Sequence, residues 1–395
     1  MPETILLYAG VRYLRHFLYR NRLWQAPARV PLHLGRQGYR DVTLRRRGAA
    51  TWSIGTTVPD GQQVWLLRED LARGSVYIAE DHAWHEEMTV RLIHGAYLHQ
   101  TGAIIVQAHD APGLCPRFVE VARPFGRDAE IAAVNFHDAR TAPLHVTESA
   151  IMAALADRGL TPSAYALARL LLPILSWLGP RLSSEPLTLF PTLLDSALLE
   201  DLASGSLRLR GIDLRSADAQ SALASLLRPL DEIAEDHRAQ ACSELRPYAR
   251  ELAAASGLSI SRGVDLSAAM ASRRITCIRP SSSWTTRLVT AACIEALATF
   301  DPKSLSDVIL HIAGPVLSAS LSDSVLADAA KRAGAVISFG AYGNDNMSDF
   351  IKACDIKIIV NCLTKSDSSN LNAVHIDFKD RYVELISHIY KFDGS

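Results

Sequence analysis

After residue 270 the chain alternates short apolar runs with helical segments, and this alternation constrains the fold more than any other feature of the sequence. Arg274 to Ile278, Asp307 to Ile312, Ala335 to Phe339, Ile356 to Val360 and Val374 to Ile376 read as strands. Helical segments fall at Thr285 to Phe300, Ser322 to Arg332 and Met347 to Cys354, with a last one near Asp380 to Tyr390. Val308-Ile309-Leu310 and Ile358-Ile359-Val360 are apolar at every position, so both faces of their sheet must be covered. A parallel sheet flanked by crossover helices meets that need, which predicts a Rossmann-like α/β domain over residues 259–395.

Upstream the texture changes twice. Asp41 to Leu44, Thr51 to Ile54, Gln63 to Leu67, Ser75 to Ile78 and Ala103 to Val106 are short β-favouring runs punctuated by turns such as Pro59-Asp60-Gly61. Most are joined without room for a crossover helix, so an antiparallel β-rich module is expected over 40–146. From Thr147 the periodicity is helical. Thr161-Pro162 is an N-cap followed by proline at the first helical position, and Ser216 to Ala255 is broken by Pro229 and Pro247 into two or three helices. The expectation is an α+β multidomain protein: a basic N-terminal segment 1–39, the antiparallel β module 40–146, a central helical region 147–258 and the C-terminal Rossmann-like domain. A length of 395 residues suits two or three domains.

Charge is balanced overall and uneven locally. The 41 basic and 42 acidic side chains give a net charge of -1, which removes any whole-chain argument for nucleic-acid binding, so no nucleic acid is expected as a partner. Yet Arg12, Arg15, Arg20, Arg22, Arg29, Arg36, Arg40, Arg45, Arg46 and Arg47 face a single acid, Asp41, between residues 11 and 47. Leu7, Val11, Leu14 and Leu18 recur at helical spacing among Tyr8, Tyr13, Phe17, Tyr19 and Trp24. Residues 5–24 therefore read as a basic amphipathic helix, which either docks on its own domain or lies peripherally on the inner face of a membrane. No run of apolar residues is long enough to span a bilayer, and the six cysteines contain no CxxC pair, so a cytoplasmic chain with reduced, mostly buried thiols is expected. All seven lysines lie after residue 302, which marks a compositional junction near residue 300.

The run from Arg279 to Asp355 resembles the nucleotide-sugar-binding half of GT-B glycosyltransferases of the large retaining class. The matching residues are Cys277-Ile278-Arg279-Pro280, Glu295-Ala296-Leu297, Leu310-His311-Ile312-Ala313-Gly314, Phe339-Gly340-Ala341-Tyr342 and Ala353-Cys354-Asp355-Ile356. The resemblance implies a nucleotide-sugar donor held near Arg279, Arg287, Gly314 and Tyr342, and a polysaccharide or glycoconjugate as acceptor. The position that holds the family's lysine is Trp284, and no glutamate lies between Glu295 and Glu384 to match its donor-site glutamates.

Other chemistry is thinner. His82-x-x-His85-Glu86-Glu87 could offer two imidazoles and a carboxylate from one helical face, but strands surround it and no metal is assigned. The chain contains no GxSxG elbow, Walker A loop or GxGxxG turn. Two functions are thus expected from different classes. One is a glycosyltransferase-like protein of polysaccharide biosynthesis, active or inactive. The other is a non-catalytic scaffold with a degenerate Rossmann-like domain, binding a carbohydrate or a partner, in which Trp52, Trp65 and Trp84 suit sugar stacking.

Overall fold

The computed structural model describes residues 29–33, 39–43, 51–57, 63–67, 75–79, 89–90, 102–107, 119, 123, 130–156, 158–178, 185–195, 217–227, 233, 235–302, 304–305, 308–313, 321–342, 356–361, 371–378 and 381–388. The expected segment 5–24, His82, His85 and the helix at Met347 to Cys354 lie outside them.

The strands in chain order are β1 (Arg29–His33), β2 (Tyr39–Thr43), β3 (Thr51–Thr57), β4 (Gln63–Leu67), β5 (Ser75–Ala79), β6 (Gly102–Gln107), β7 (Ile131–Asn135), β8 (Leu144–His145), β9 (Leu258–Ser259), β10 (Ile275–Arg279), β11 (Val308–Ala313), β12 (Val336–Tyr342), β13 (Ile356–Asn361), β14 (Leu371–Phe378) and β15 (Arg381–His388). Eleven of them form one sheet in the order β4-β3-β15-β14-β13-β5-β12-β11-β6-β10-β7. From β13 to β7 every neighbouring pair is parallel, whereas β14, β15, β3 and β4 add an antiparallel flank. The continuous apolar runs therefore sit where expected. β6 is buried along its whole length, as are residues 308–312 of β11, which requires layers on both faces.

The N-terminal antiparallel module needs correction. Ser75 to Ile78 and Ala103 to Val106 are inside β5 and β6, and both run parallel in the main sheet between strands that come some 200 residues later. Among the described residues of this stretch, β1–β2 and β3–β4 are the pairs that run antiparallel. The spacing argument failed because it assumed that these runs pair with one another. In the fold their partners come from the far end of the chain. A second correction falls on the final segment. Asp380 to Tyr390 was expected to be helical, but Arg381–His388 is a strand that pairs with β14 across the two-residue connection Lys379-Asp380. Tyr382, Val383 and Ile386 are β-favouring residues, and a ready partner strand outweighs helical spacing in so short a segment.

The helices are α1 (Glu148–Ala156), α2 (Pro162–Leu178), α3 (Ala217–Leu227), α4 (Glu235–Ala254), α5 (Leu266–Ala271), α6 (Ser283–Ala298) and α7 (Leu321–Ala333), with helical turns over Pro186–Leu193. Thr161 caps α2 as its sequence demands: its hydroxyl accepts from the Ala164 amide at 3.3 Å and donates to Glu244 Oε2 of α4 at 2.9 Å. Pro247, by contrast, does not end a helix. α4 runs through it, and Leu245, Ala249 and Leu252 around it are buried on a helix that packs against α2. That burial outweighs the roughly 3 kcal/mol an interior proline costs. The helical region leaves the sheet after β7 and returns through β9, which pairs with β8 in parallel and so ties the two ends of the region together. Cys242, Cys277 and Cys293 are buried thiols that form no disulfide, and burial pushes the Cys293 thiol up to about 12.

Candidate functional site

In an open α/β sheet ligands bind outside the carboxyl ends of the parallel strands, beside the point where successive connections diverge. Here β6 is that pivot. The chain leaves it toward β7 on one side, while β11, its other neighbour, leads on to β12 in the opposite direction. Gln107 ends β6 opposite Ala313 of β11, Arg279 ends β10 opposite Asn135 of β7, and Gly340 of β12 faces Ala313. The result is a line of strand ends, Asn135, Arg279, Gln107, Ala313 and Gly340, with polar side chains on one half. Gln107 is buried and Arg279 half-buried. At the next corner Asn135 Oδ1 accepts from the His137 amide at 3.0 Å and closes a tight turn.

Behind Arg279 the chain turns through Pro280-Ser281-Ser282 into α6, whose start carries a capping box. The Ser282 hydroxyl accepts from the Thr285 amide at 3.1 Å, and Thr285 Oγ1 accepts in return from the amides of Ser281 and Ser282 at 3.0 and 2.8 Å. The Ser282 hydroxyl also donates to the Glu251 carboxylate, which reaches across from α4. Trp284 lies buried beneath, its ring 5.5 Å from that of Tyr248, and Arg158 stacks over the other ring at 5.6 Å. Burial raises the Glu251 carboxyl above the usual carboxylate range, and the charge of Arg158 opposes that shift.

A raised folded-state value means that the stability this group contributes is present in acid and lost as pH rises through that value. Glutamine keeps an acceptor for Ser282 and carries no charge. Glu251→Gln should therefore be at least as stable as the wild type near about pH 8, with the advantage shrinking toward about pH 4. Urea melts at both pH values check this, and an advantage that grows in acid would refute the assignment.

Of the residues expected to bind, Arg279 and Arg287 lie on consecutive elements, at the end of β10 and in the second turn of α6. Tyr342 ends β12, and Gly314, one residue past β11, is outside the described residues. Sequence reasoning missed Gln107, Asn135 and Glu251. The all-apolar run Ala103-Ile104-Ile105-Val106 that ends in Gln107 carried the signal, because a strand with no polar face belongs in a covered sheet.

Three solved structures place this architecture. The unbound monoclinic form of the bacterial conjugative coupling protein TrwBΔN70 matches at a TM-score of 0.52 and 12% identity, over 86% of this chain and 89% of that one. Its trigonal form in complex with sulphate matches at 0.51 and 13%, over 93% and 97%. The plasmid coupling protein TrwB in complex with the non-hydrolysable GTP analogue GDPNP matches at 0.51 and 12%, over 92% and 96%. No family model and no curated protein matches the chain. At such identities the likeness is one of fold. It extends over nearly the whole of both chains, and it overturns the expected GT-B kinship together with the glycosyltransferase activity, the nucleotide sugar, the glycan acceptor and a role in polysaccharide biosynthesis. The motifs that suggested GT-B, strands ending in glycine and a helix ending in Ala-Asp, are what many open α/β sheets present at their loops. Topology separates the two readings, because the sheet is one continuous layer with β5, β6 and β7 built into its parallel part.

One of these structures holds the GTP analogue GDPNP, and a magnesium nucleotide at strand ends of this kind requires a phosphate loop and carboxylates for the metal. The residues present do not fit one: the chain contains no Gly-x4-Gly-Lys-Ser/Thr loop, and no aspartate or glutamate lies in any of the parallel strands β5, β6, β7, β10, β11, β12 and β13.

Proposed function

We propose that this chain is a coupling-protein-like component of an apparatus that transfers macromolecules, with DNA as the polymer it contacts. The observation that supports the reading is the likeness to conjugative coupling proteins over almost the full length of both partners. The balanced net charge does not argue against DNA once the distribution is considered, because the ten arginines between residues 11 and 47 make a local cationic segment of the kind that neutralises phosphates. Among the described residues no helix is long and apolar enough to cross a membrane.

Fluorescence anisotropy of the full chain with labelled single- and double-stranded oligonucleotides tests the reading. Binding through about six phosphates should weaken by about a thousandfold between roughly 50 and 200 mM salt. Absence of binding at the lower salt, or binding that ignores salt, would refute DNA contact. Removal of the gene from a conjugating donor tests the cellular role: transfer should fall and return with a supplied copy, and unchanged transfer would refute that role.

A further inference from the structure

We propose that the carboxyl ends of the parallel strands neither bind nor hydrolyse a magnesium nucleoside triphosphate, so that this chain keeps the coupling-protein fold without its own ATPase site. The inference rests on the fold and the residues at the strand ends. It does not need the transfer reading, and the two fail separately.

A phosphate cradle after a central strand requires consecutive backbone N–H groups aimed inward, a lysine for the outer phosphates and carboxylate or hydroxyl ligands for the metal. The segment that follows β6 reads Ala108-His109-Asp110-Ala111-Pro112-Gly113-Leu114-Cys115-Pro116-Arg117. It holds one glycine and two prolines, and each proline removes an N–H from the stretch that would have to supply the donors. The first lysine of the chain is Lys303, and no lysine anywhere follows a glycine. The one arginine of the stretch, Arg117, carries a planar fork in place of the compact ammonium that a phosphate-loop lysine supplies.

The metal side is equally altered. β11 is the strand beside β6 that would present a carboxylate toward the crevice, yet it reads Val308-Ile309-Leu310-His311-Ile312-Ala313. His311 is fully buried, with Nε2 3.4 Å from the Thr89 hydroxyl. Its neighbours across the sheet are Ile105 and Ser338, which supply no oxygen ligand of the anionic kind magnesium selects.

A second place for a phosphate among the described residues is the N-terminus of α6, one strand away. There the Thr285 amide is taken by the Ser282 hydroxyl, the amides of Ser281 and Ser282 by Thr285 Oγ1, and the Ser282 hydroxyl is given to the Glu251 carboxylate. The chain's own carboxylate thus lies beside this helix start, where its charge repels an external anion.

The test uses the full chain in thermal-shift and calorimetric titrations with Mg-ATP, Mg-GTP and Mg-ADP, alongside an assay for released phosphate. A ligand at about a hundred times its dissociation constant moves the melting temperature of a domain by several degrees. The expected result is a cooperative melt whose midpoint does not move with any of the three, and phosphate release equal to the protein-free blank. A saturable rise with any nucleotide overturns the proposal. So does phosphate release that scales with protein and follows the chain through a further purification step. Arg117→Ala discriminates the first of these outcomes, since a shift abolished by it would place the phosphates in the loop after β6.

Discussion

Trp284→Ala should remove about 3–5 kcal/mol of stability, a large share of the roughly 5–15 kcal/mol that holds a domain folded. Trp284 is 2% exposed and is among the largest fully enclosed side chains among the described residues. Its ring packs against Tyr248 of α4 while its backbone lies in the first turn of α6, so its loss opens a cavity between the helical region and the helix that covers the sheet. Trp284→Phe provides the internal control. The indole Nε1 has no hydrogen-bond partner among the described residues, so phenylalanine gives up volume without orphaning a donor. It should cost no more than about 1.5 kcal/mol. Chemical denaturation of both variants measures the gap. Equal losses would mean that the indole makes a polar contact, and a negligible loss for alanine would mean that this junction is not packed as described.

Gly263→Ala should cost about 2–5 kcal/mol, through two effects that add. The backbone there has φ of +132°, in a region that side chains of L-residues essentially do not enter, and a Cβ would lie 2.3 Å from the carbonyl oxygen of Pro143. That atom and the next two, the His145 nitrogen and the Pro143 carbonyl carbon at 2.9 Å, are all backbone, which cannot swing aside. The segment is pinned where β8 meets β9: the Val264 amide donates to Pro143 O at 2.8 Å, and the His145 amide donates to Val264 O at 3.0 Å. Gly159, at φ +63° with nothing within 4 Å of its missing Cβ, is the comparison. Gly159→Ala should cost only the backbone strain, about 1–2 kcal/mol. Thermal melts of the pair separate crowding from conformation. Equal shifts would show that the clash at Gly263 is relieved by movement of the β8–β9 clamp.

Trp284 also shows how a site can be misread. It stands where the GT-B pattern carries a lysine, so by sequence it marks a lost donor contact. In the fold it is a core residue under the helical region and lines no donor pocket. Arg279 was singled out by its position in the GT-B pattern, and in the fold it is the last residue of β10, at the carboxyl edge of the sheet. Glu251 was not, since it comes from α4 and meets Ser282 only when that helix packs across.

The sequence by itself determined the parallel α/β character of the chain and its helical insert. Uninterrupted apolar strands such as Val308-Ile309-Leu310 must be covered on both faces, and Thr161-Pro162 starts a helix by local hydrogen bonding alone. It also determined the absence of a phosphate loop, since that motif is contiguous. Only the tertiary structure decided which strands are neighbours. β6 inserts between β10 and β11, and β5 between β12 and β13, pairings separated by well over a hundred residues. The backbone hydrogen bonds that join them are the same for any sequence, so no local pattern records the partner. The choice is settled by how the helices on the two faces pack, and with it which strand ends meet at the crevice.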